Sequence, residues 1–286
     1  MSSNQLLPDA TVMGAVTLWV ADLETMIKYY RDGVGLELIS HFGDRAVLGF
    51  KELAIVILEY RAGMKQASPR EAGLFHTAIL FPSEAALAKA VYSVATRYPG
   101  TFTGSADHLV SKAFYFDDPE GNGVELYWDR DRSQWSWVHG SIEMDTIMLD
   151  PNQFLKENLV EGEVDQAKRV GHVHLCVGSV PAAEEFYVKM LGFSKTLDWS
   201  GQALFVSAGG YHHHMAMNTW RSKGAGRRKL ALGLGNVAIQ VEDSDQLAAT
   251  KDRLEFYGQE TIAEVEELRV TDPWGNLITL GLRSST

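Results

Sequence analysis

The sequence predicts an α+β protein built from four copies of a βαβββ unit, whose strands form two curved, barrel-like sheets. Two repeats carry this prediction. A strand–turn–helix pattern that ends at a glycine begins at Ala15 and again at His172. A second such pattern begins at His76 and again at Asn236, and each copy later reaches an Asp-Pro-x-Gly-Asn turn. We therefore place the four units at about 12–63, 70–130, 170–220 and 232–283.

The elements within each unit follow from local patterns. The residues after Ala15 and after His172 are rich in β-branched and large apolar types, which favours a strand. Apolar spacing then predicts an amphipathic helix, in which Tyr30 and Tyr187 occupy equivalent positions. A glycine follows each helix and is typical of a left-handed cap. The later Asp-Pro turns predict sharp reversals that feed the last strand of a unit.

The repeats also predict the domain organisation. Two units form an N-terminal domain at 8–130, and two form a C-terminal domain at 169–284. The segment 131–168 breaks the repeat, is charged and partly helical, and is predicted to be the connector.

Composition excludes several classes of function. The 286 residues include 37 acidic and 26 basic ones, a net charge of −11, which argues against a nucleic-acid surface. The apolar runs are of strand length, and the N-terminus lacks the features of a secretory signal, so we expect no membrane association. A single cysteine, Cys176, excludes an internal disulfide. We expect a cytoplasmic protein, and the sequence leaves a homo-oligomer open.

Metal-ligand residue types occur at equivalent repeat positions in units two and three only. The heads of the four first strands are Ala15, His76, His172 and Asn236. The sixth residue after the proline of the Asp-Pro turn is Glu125 in unit two and Thr279 in unit four. A lone histidine is usually a hydrogen-bonded strand residue, but two imidazoles and a carboxylate form the facial triad of non-haem Fe(II). The same triad holds Mn(II) and accepts other divalent metals such as Ni and Zn.

Other histidines leave alternatives open. His174 faces the same side of the strand as His172 and competes for the ligand role, but His172 shares its repeat position with His76. In the run after Tyr211, strand alternation puts His212 and His214 on one face and His213 on the other. A surface edge strand explains that run equally well. The default interpretations of two further residues are a loop histidine for His108 and a core residue for Tyr115.

These motifs resemble the vicinal oxygen chelate (glyoxalase/bleomycin resistance/dioxygenase) superfamily, and within it the type I extradiol catechol-2,3-dioxygenases. The resemblance spans essentially the whole chain. The matching segments are 75–80 (FHTAIL), 107–127, 171–177 (GHVHLCV) and 211–217 (YHHHMAM). The order differs from that of the best-known members, where the unit with the His and Glu ligands comes last. Here units two and three would have to pair across the connector.

The resemblance implies an oxidoreductase of aromatic catabolism that cleaves a catechol-type substrate beside its diol with O2. It implies Fe(II), with Mn(II) as a second candidate, held by His76, His172 and Glu125. It further implies catalytic roles for the remaining matched residues, His213 as acid–base group, Tyr115 as hydrogen-bond donor to the substrate, and His108. His174, His213 and Tyr115 would contact the substrate.

Two alternatives stay open. A glyoxalase-like metal-dependent isomerase or thiol transferase requires a second carboxylate near the metal. A non-enzymatic protein of this superfamily would bind a small molecule at a degenerate metal site.

Overall fold

A computed structural model describes residues 6–283 and confirms the predicted α+β class. The chain contains four groups of four strands, and in each group a helix follows the first strand. Within each group, the order of strands across the sheet is first, fourth, third, second. The described strands form an eight-stranded, a nine-stranded and a two-stranded sheet. The four predicted βαβββ units are therefore present.

The first two groups follow each other directly along the chain. The elements of the first group are β1 (Val12–Val20), α1 (Leu23–Lys28), β2 (Glu37–Phe42), β3 (Arg45–Phe50) and β4 (Leu53–Tyr60). The elements of the second group are β5 (Gly73–Leu80), α2 (Glu84–Arg97), β6 (Phe102–Asp107), β7 (Ser111–Asp117) and β8 (Gly123–Asp129).

A segment of short elements separates the second group from the third. It contains β9 (Trp137–Val138), β10 (Ser141–Ile142), β11 (Ile147–Met148) and α3 (Pro151–Asn158). β9 pairs with β10, while β11 adds to the edge of β6 in antiparallel orientation.

The last two groups repeat the pattern. The elements of the third group are β12 (Arg169–Cys176), α4 (Val180–Ala183), β13 (Ser194–Trp199), β14 (Ala203–Ser207) and β15 (Met215–Asn218). The elements of the fourth group are β16 (Gly233–Val241), α5 (Ser244–Phe256), β17 (Thr261–Ala263), β18 (Glu267–Thr271) and β19 (Leu277–Leu282). No helix among the described residues is long and apolar enough to cross a membrane.

By contacts, the described chain divides into two compact regions. The N-terminal region comprises 17–65 and 75–171, and the C-terminal region comprises 6–16, 66–74 and 172–283. The predicted domain limits 8–130, 131–168 and 169–284 stay a prediction.

Each region contains the same buried link between its two groups. In the N-terminal region the Tyr30 hydroxyl donates to Asp118 Oδ2 at 3.0 Å, and in the C-terminal region Tyr187 donates to Asp272 Oδ2 at 3.0 Å. The tyrosines lie in π-helical turns, Tyr29–Gly33 and Glu184–Met190, that continue α1 and α4. The repeated tyrosine and the repeated Asp-Pro turn are therefore partners, which fixes each helix against the following group.

Candidate metal centre

Two of the predicted ligands meet in the N-terminal region. β5 and β8 pair in parallel, with Thr77 opposite Val124 and Ala78 opposite Glu125. This register brings His76 Nε2 to 2.9 Å from Glu125 Oε2. His76 is 5% exposed and Glu125 is 2% exposed, so an imidazole and a carboxylate adjoin in the protein interior.

The spacing of these two atoms fits metal coordination. Nitrogen and oxygen ligands lie roughly 2.0–2.2 Å from a divalent transition metal, so two ligands at a right angle are about 3 Å apart. The observed 2.9 Å between His76 Nε2 and Glu125 Oε2 matches that separation. Burying a carboxylate is costly unless it is paired or coordinates a metal. The donor set therefore suits a divalent metal ion.

Tyr115 and His108 continue from this pair. Tyr115 lies opposite Glu125 in the antiparallel pairing of β7 with β8. Burial, together with the Glu125 carboxylate, raises the pKa of Tyr115 well above its usual value, so the phenol keeps its proton. His108 Nε2 lies 2.6 Å from the Tyr115 hydroxyl oxygen. The phenol oxygen therefore lies between His108 and Glu125 and has a single proton to donate.

The orientation of His108 is set by the segment between the second and third groups. His108 Nδ1 lies 2.7 Å from the backbone carbonyl oxygen of Asp145. A carbonyl oxygen only accepts, so Nδ1 carries a proton, and in neutral His108 Nε2 is the acceptor that faces Tyr115. Sequence reasoning missed Asp145, because a backbone carbonyl leaves no signal in residue type.

In the C-terminal region, His172 lies among other histidines. It is 2% exposed, and its ring centroid is 4.1 Å from that of His213 and 6.0 Å from that of His212. His212 Nδ1 and His213 Nδ1 are 2.7 Å apart. One of these nitrogens must donate and the other accept, so the two neutral imidazoles hold opposite tautomers.

The prediction of a strand through the histidine run is wrong. β15 begins only at Met215, and residues 211–214 form bends before it. Alternation between two faces therefore does not apply, and the rings of His212 and His213 adjoin. The surface-edge alternative is also wrong, because His212, His213 and His214 are 0%, 5% and 7% exposed. Aromatic side chains surround the buried run, because Tyr211 packs against His212 and Phe205 packs against His213.

His174 lies two residues beyond His172 on β12 and has a different environment. The backbone N–H of Trp220 donates to Asn218 Oδ1 at 3.1 Å, which fixes the orientation of that amide. Asn218 Nδ2 then donates to His174 Nε2 at 2.9 Å. Because the Nε2 lone pair is engaged, this hydrogen bond favours His172 over His174 as a ligand. The substrate contact predicted for His174 stays a prediction.

The strand that carries His172 is anchored one residue earlier. A Cβ atom on Gly171 would lie 1.6 Å from the Tyr127 hydroxyl oxygen, so only glycine fits there. Tyr127 follows Glu125 by two residues on β8, and Gly171 and Tyr127 both belong to the N-terminal region. The set of three ligands stays a prediction.

Comparison with known proteins identifies the family. The family model described as "Glyoxalase/Bleomycin resistance protein/Dioxygenase superfamily" matches residues 12–126 and 169–280. The chain is 31% identical over 275 residues to the catechol-2,3-dioxygenase of Bacillus subtilis (strain 168), which covers 92% of this chain and 94% of that protein.

Solved structures share the fold at lower identity. A candidate dioxygenase from Bacillus subtilis subsp. subtilis str. 168 has a TM-score of 0.67 and 13% identity, covering 96% of this chain and 86% of that one. Glyoxalase I from Zea mays has a TM-score of 0.60 and 18% identity, covering 95% and 92%. These two likenesses concern the fold alone. With the family match over both halves, the chain belongs to the glyoxalase/bleomycin resistance protein/dioxygenase superfamily.

Proposed function

We propose that this protein is an Fe(II)-dependent extradiol dioxygenase, which opens the ring of a catechol-type substrate beside its diol with O2. The buried pair of His76 and Glu125, extended by Tyr115 and His108, is the observation that carries the proposal. A relative at 31% identity that is named catechol-2,3-dioxygenase supports the same reaction.

His76, Glu125 and His172 are the residues that would hold the metal. All three are buried, and two imidazoles with one carboxylate are the ligand set that favours Fe(II) while leaving positions open. When bound, the metal would orient the diol and oxygen and pass electrons between them. Mn(II) is a second candidate for the same ligands.

His213 would move the proton of the substrate. Its Nδ1 faces His212 Nδ1 at 2.7 Å, so Nε2 is the nitrogen that would exchange a proton with the diol. To accept that proton, Nε2 must begin unprotonated, which places a proton on His213 Nδ1 and makes His212 Nδ1 the acceptor. His212 would therefore hold the tautomer of His213 that acts as a base.

Tyr115 would hydrogen-bond a substrate oxygen. Its raised pKa keeps the hydroxyl protonated, and His108, held by the Asp145 carbonyl, accepts a hydrogen bond from it. The phenol has one proton, so on substrate binding its O–H would turn from His108 to the substrate oxygen, where it would stabilise developing negative charge.

An oxygen-uptake assay tests the proposal. The protein is reconstituted with Fe(II) without air and then given catechol, 4-methylcatechol or a methylglyoxal–thiol adduct. We expect stoichiometric oxygen uptake and a yellow ring-opened product from a catechol. Glu125→Gln should abolish both, whereas the matched control Glu157→Gln, on exposed α3, should not.

Two outcomes would contradict the proposal. Isomerisation of the adduct with no oxygen uptake on any catechol would favour a glyoxalase-like isomerase. A fully metal-loaded protein that turns over neither class of substrate would favour a binding protein.

A further inference from the structure

The N-terminal region contains a cavity of about 400 Å³ that the proposed reaction does not use. Phe50, Phe81 and Trp128 supply aromatic walls, and Lys168 and Arg169 supply positive charge. None of the predicted metal ligands or catalytic residues lines it. Its volume lies within the range of about 300–1,000 Å³ that is typical of small-molecule sites.

Lys168 is the unusual member of this lining. The residue is only 5% exposed, and its Nζ donates to the Gly35 carbonyl oxygen at 2.9 Å. The same Nζ lies 5.7 Å from the ring centroids of both Phe50 and Phe81. An ammonium group carries three N–H donors, so one carbonyl oxygen leaves capacity for another acceptor.

No carboxylate compensates this buried charge directly. Among residues 6–283, Lys168 makes no ion pair, and burial lowers the pKa of its ammonium although Glu37 and Asp165 act in the opposite direction from farther away. Buried charges in proteins are normally paired. The two rings give partial compensation through cation–π attraction. An anion in the cavity would complete the compensation of the Lys168 charge.

We propose that this cavity binds a small aromatic carboxylate, with the carboxylate on Lys168 and the ring among Phe50, Phe81 and Trp128. Arg169 is exposed at the cavity and adds attraction for an anion in a chain whose net charge is −11. Asp129 also lines the cavity, so the carboxylate lies toward Lys168 and the ring occupies the remainder.

Benzoate is the probe, and its binding is measured by calorimetry and by intrinsic tryptophan fluorescence, to which Trp128 contributes. We expect saturable binding to the wild-type protein and at least roughly tenfold weaker binding to Lys168→Met, which corresponds to about 1.4 kcal/mol. The matched control Lys156→Met replaces an exposed lysine on α3 and should bind as the wild type does. Benzamide is neutral and of similar shape. Its binding to the wild-type protein should be no tighter than the binding of benzoate to Lys168→Met.

A third variant separates this site from the proposed metal centre. His76→Ala should retain benzoate binding, since His76 does not line the cavity. Loss of binding in His76→Ala but not in Lys168→Met would place benzoate at the metal centre and overturn the proposal. Absence of binding at about 10 mM benzoate would overturn it as well.

A measurement on the wild-type protein covers the case in which Lys168→Met does not fold. Lysine acylation is mapped by mass spectrometry with and without benzoate, at a reaction time long enough to acylate Lys168 in the absence of benzoate. Selective protection of Lys168 by benzoate, and not by benzamide, supports the proposal. Unchanged acylation of Lys168 at a saturating benzoate concentration contradicts it.

Discussion

Replacing Tyr30 by Phe removes one hydroxyl from the buried link between the first two groups. That hydroxyl donates to Asp118 Oδ2 at 3.0 Å, and the two residues are 1% and 3% exposed. Burial raises the pKa of Asp118 to about 6, although hydrogen bonds from Asn122 and Tyr30 oppose the shift. Above that pH the folded protein holds a buried carboxylate that depends on its donors.

The cost of Tyr30→Phe should therefore depend on pH. A hydrogen bond to a charged group contributes about 1.5–3 kcal/mol, and one between neutral groups about 0.5–1.5 kcal/mol. We expect Tyr30→Phe to lower the free energy of unfolding by the larger amount at pH 7.5 and by the smaller amount at pH 5. Asp118 binds its proton more tightly when folded, so its contribution to stability is complete below pH 3.8 and is lost as the pH rises through about 6.

Urea unfolding, followed by tryptophan fluorescence at both pH values, measures the effect. Tyr29→Phe is the matched control, because Tyr29 is 0% exposed and its hydroxyl has no hydrogen-bond partner among the described residues. It loses the same atom without losing a hydrogen bond, so we expect a change within about 0.5 kcal/mol. Equal destabilisation by the two variants, or a cost of Tyr30→Phe that does not rise with pH, would refute the reasoning.

Three further predictions concern the candidate site and its support. His213→Ala should keep the metal but lose roughly 10²–10⁴-fold in turnover, measured by metal analysis beside oxygen uptake; stoichiometric metal loss would make His213 a ligand. Glu125→Gln should lower metal content after gel filtration, and retention of a full equivalent would remove Glu125 from the ligand set. Gly171→Ala should cost about 1–3 kcal/mol by overpacking against the Tyr127 hydroxyl, as measured by urea unfolding. Adding Tyr127→Phe should recover part of that loss, and no recovery would contradict the proposed clash.

The repeat made much of the fold predictable from the sequence. Tyr30 and Tyr187 share a repeat position because each donates to the aspartate of an Asp-Pro turn, which was visible as a pattern but not as a contact. The π-helical turns that carry these tyrosines were not predicted, since one extra residue per turn hardly changes the apolar spacing.

The candidate site was predictable where residue type carries the information. His76 and Glu125 are recognisable by repeat position, and they meet at 2.9 Å. The conformation around His212 and His213 was not, because three adjacent histidines look alike whether they form a strand or a bend. Lys168 was missed because nothing in a single lysine's neighbours along the chain shows that its ammonium is buried.

The fourth group shows what the fold itself requires at the position of the metal ligands. Asn236 and Thr279 stand in the register of His76 and Glu125, since Ala238 pairs with Thr279 as Ala78 pairs with Glu125. There, Asn236 Nδ2 donates to Thr279 Oγ1 at 3.0 Å, a neutral bond across the same pair of parallel strands.

A neutral polar pair is thus sufficient to hold this register, and it avoids the desolvation of a carboxylate. In the second group, Glu125 is 2% exposed beside His76, so its carboxylate is desolvated there. The stability of the fold alone does not require the imidazole of His76 and the carboxylate of Glu125, because the amide of Asn236 and the hydroxyl of Thr279 hold the same register. The difference between the two groups is what the proposed ligation of a metal ion by His76 and Glu125 predicts.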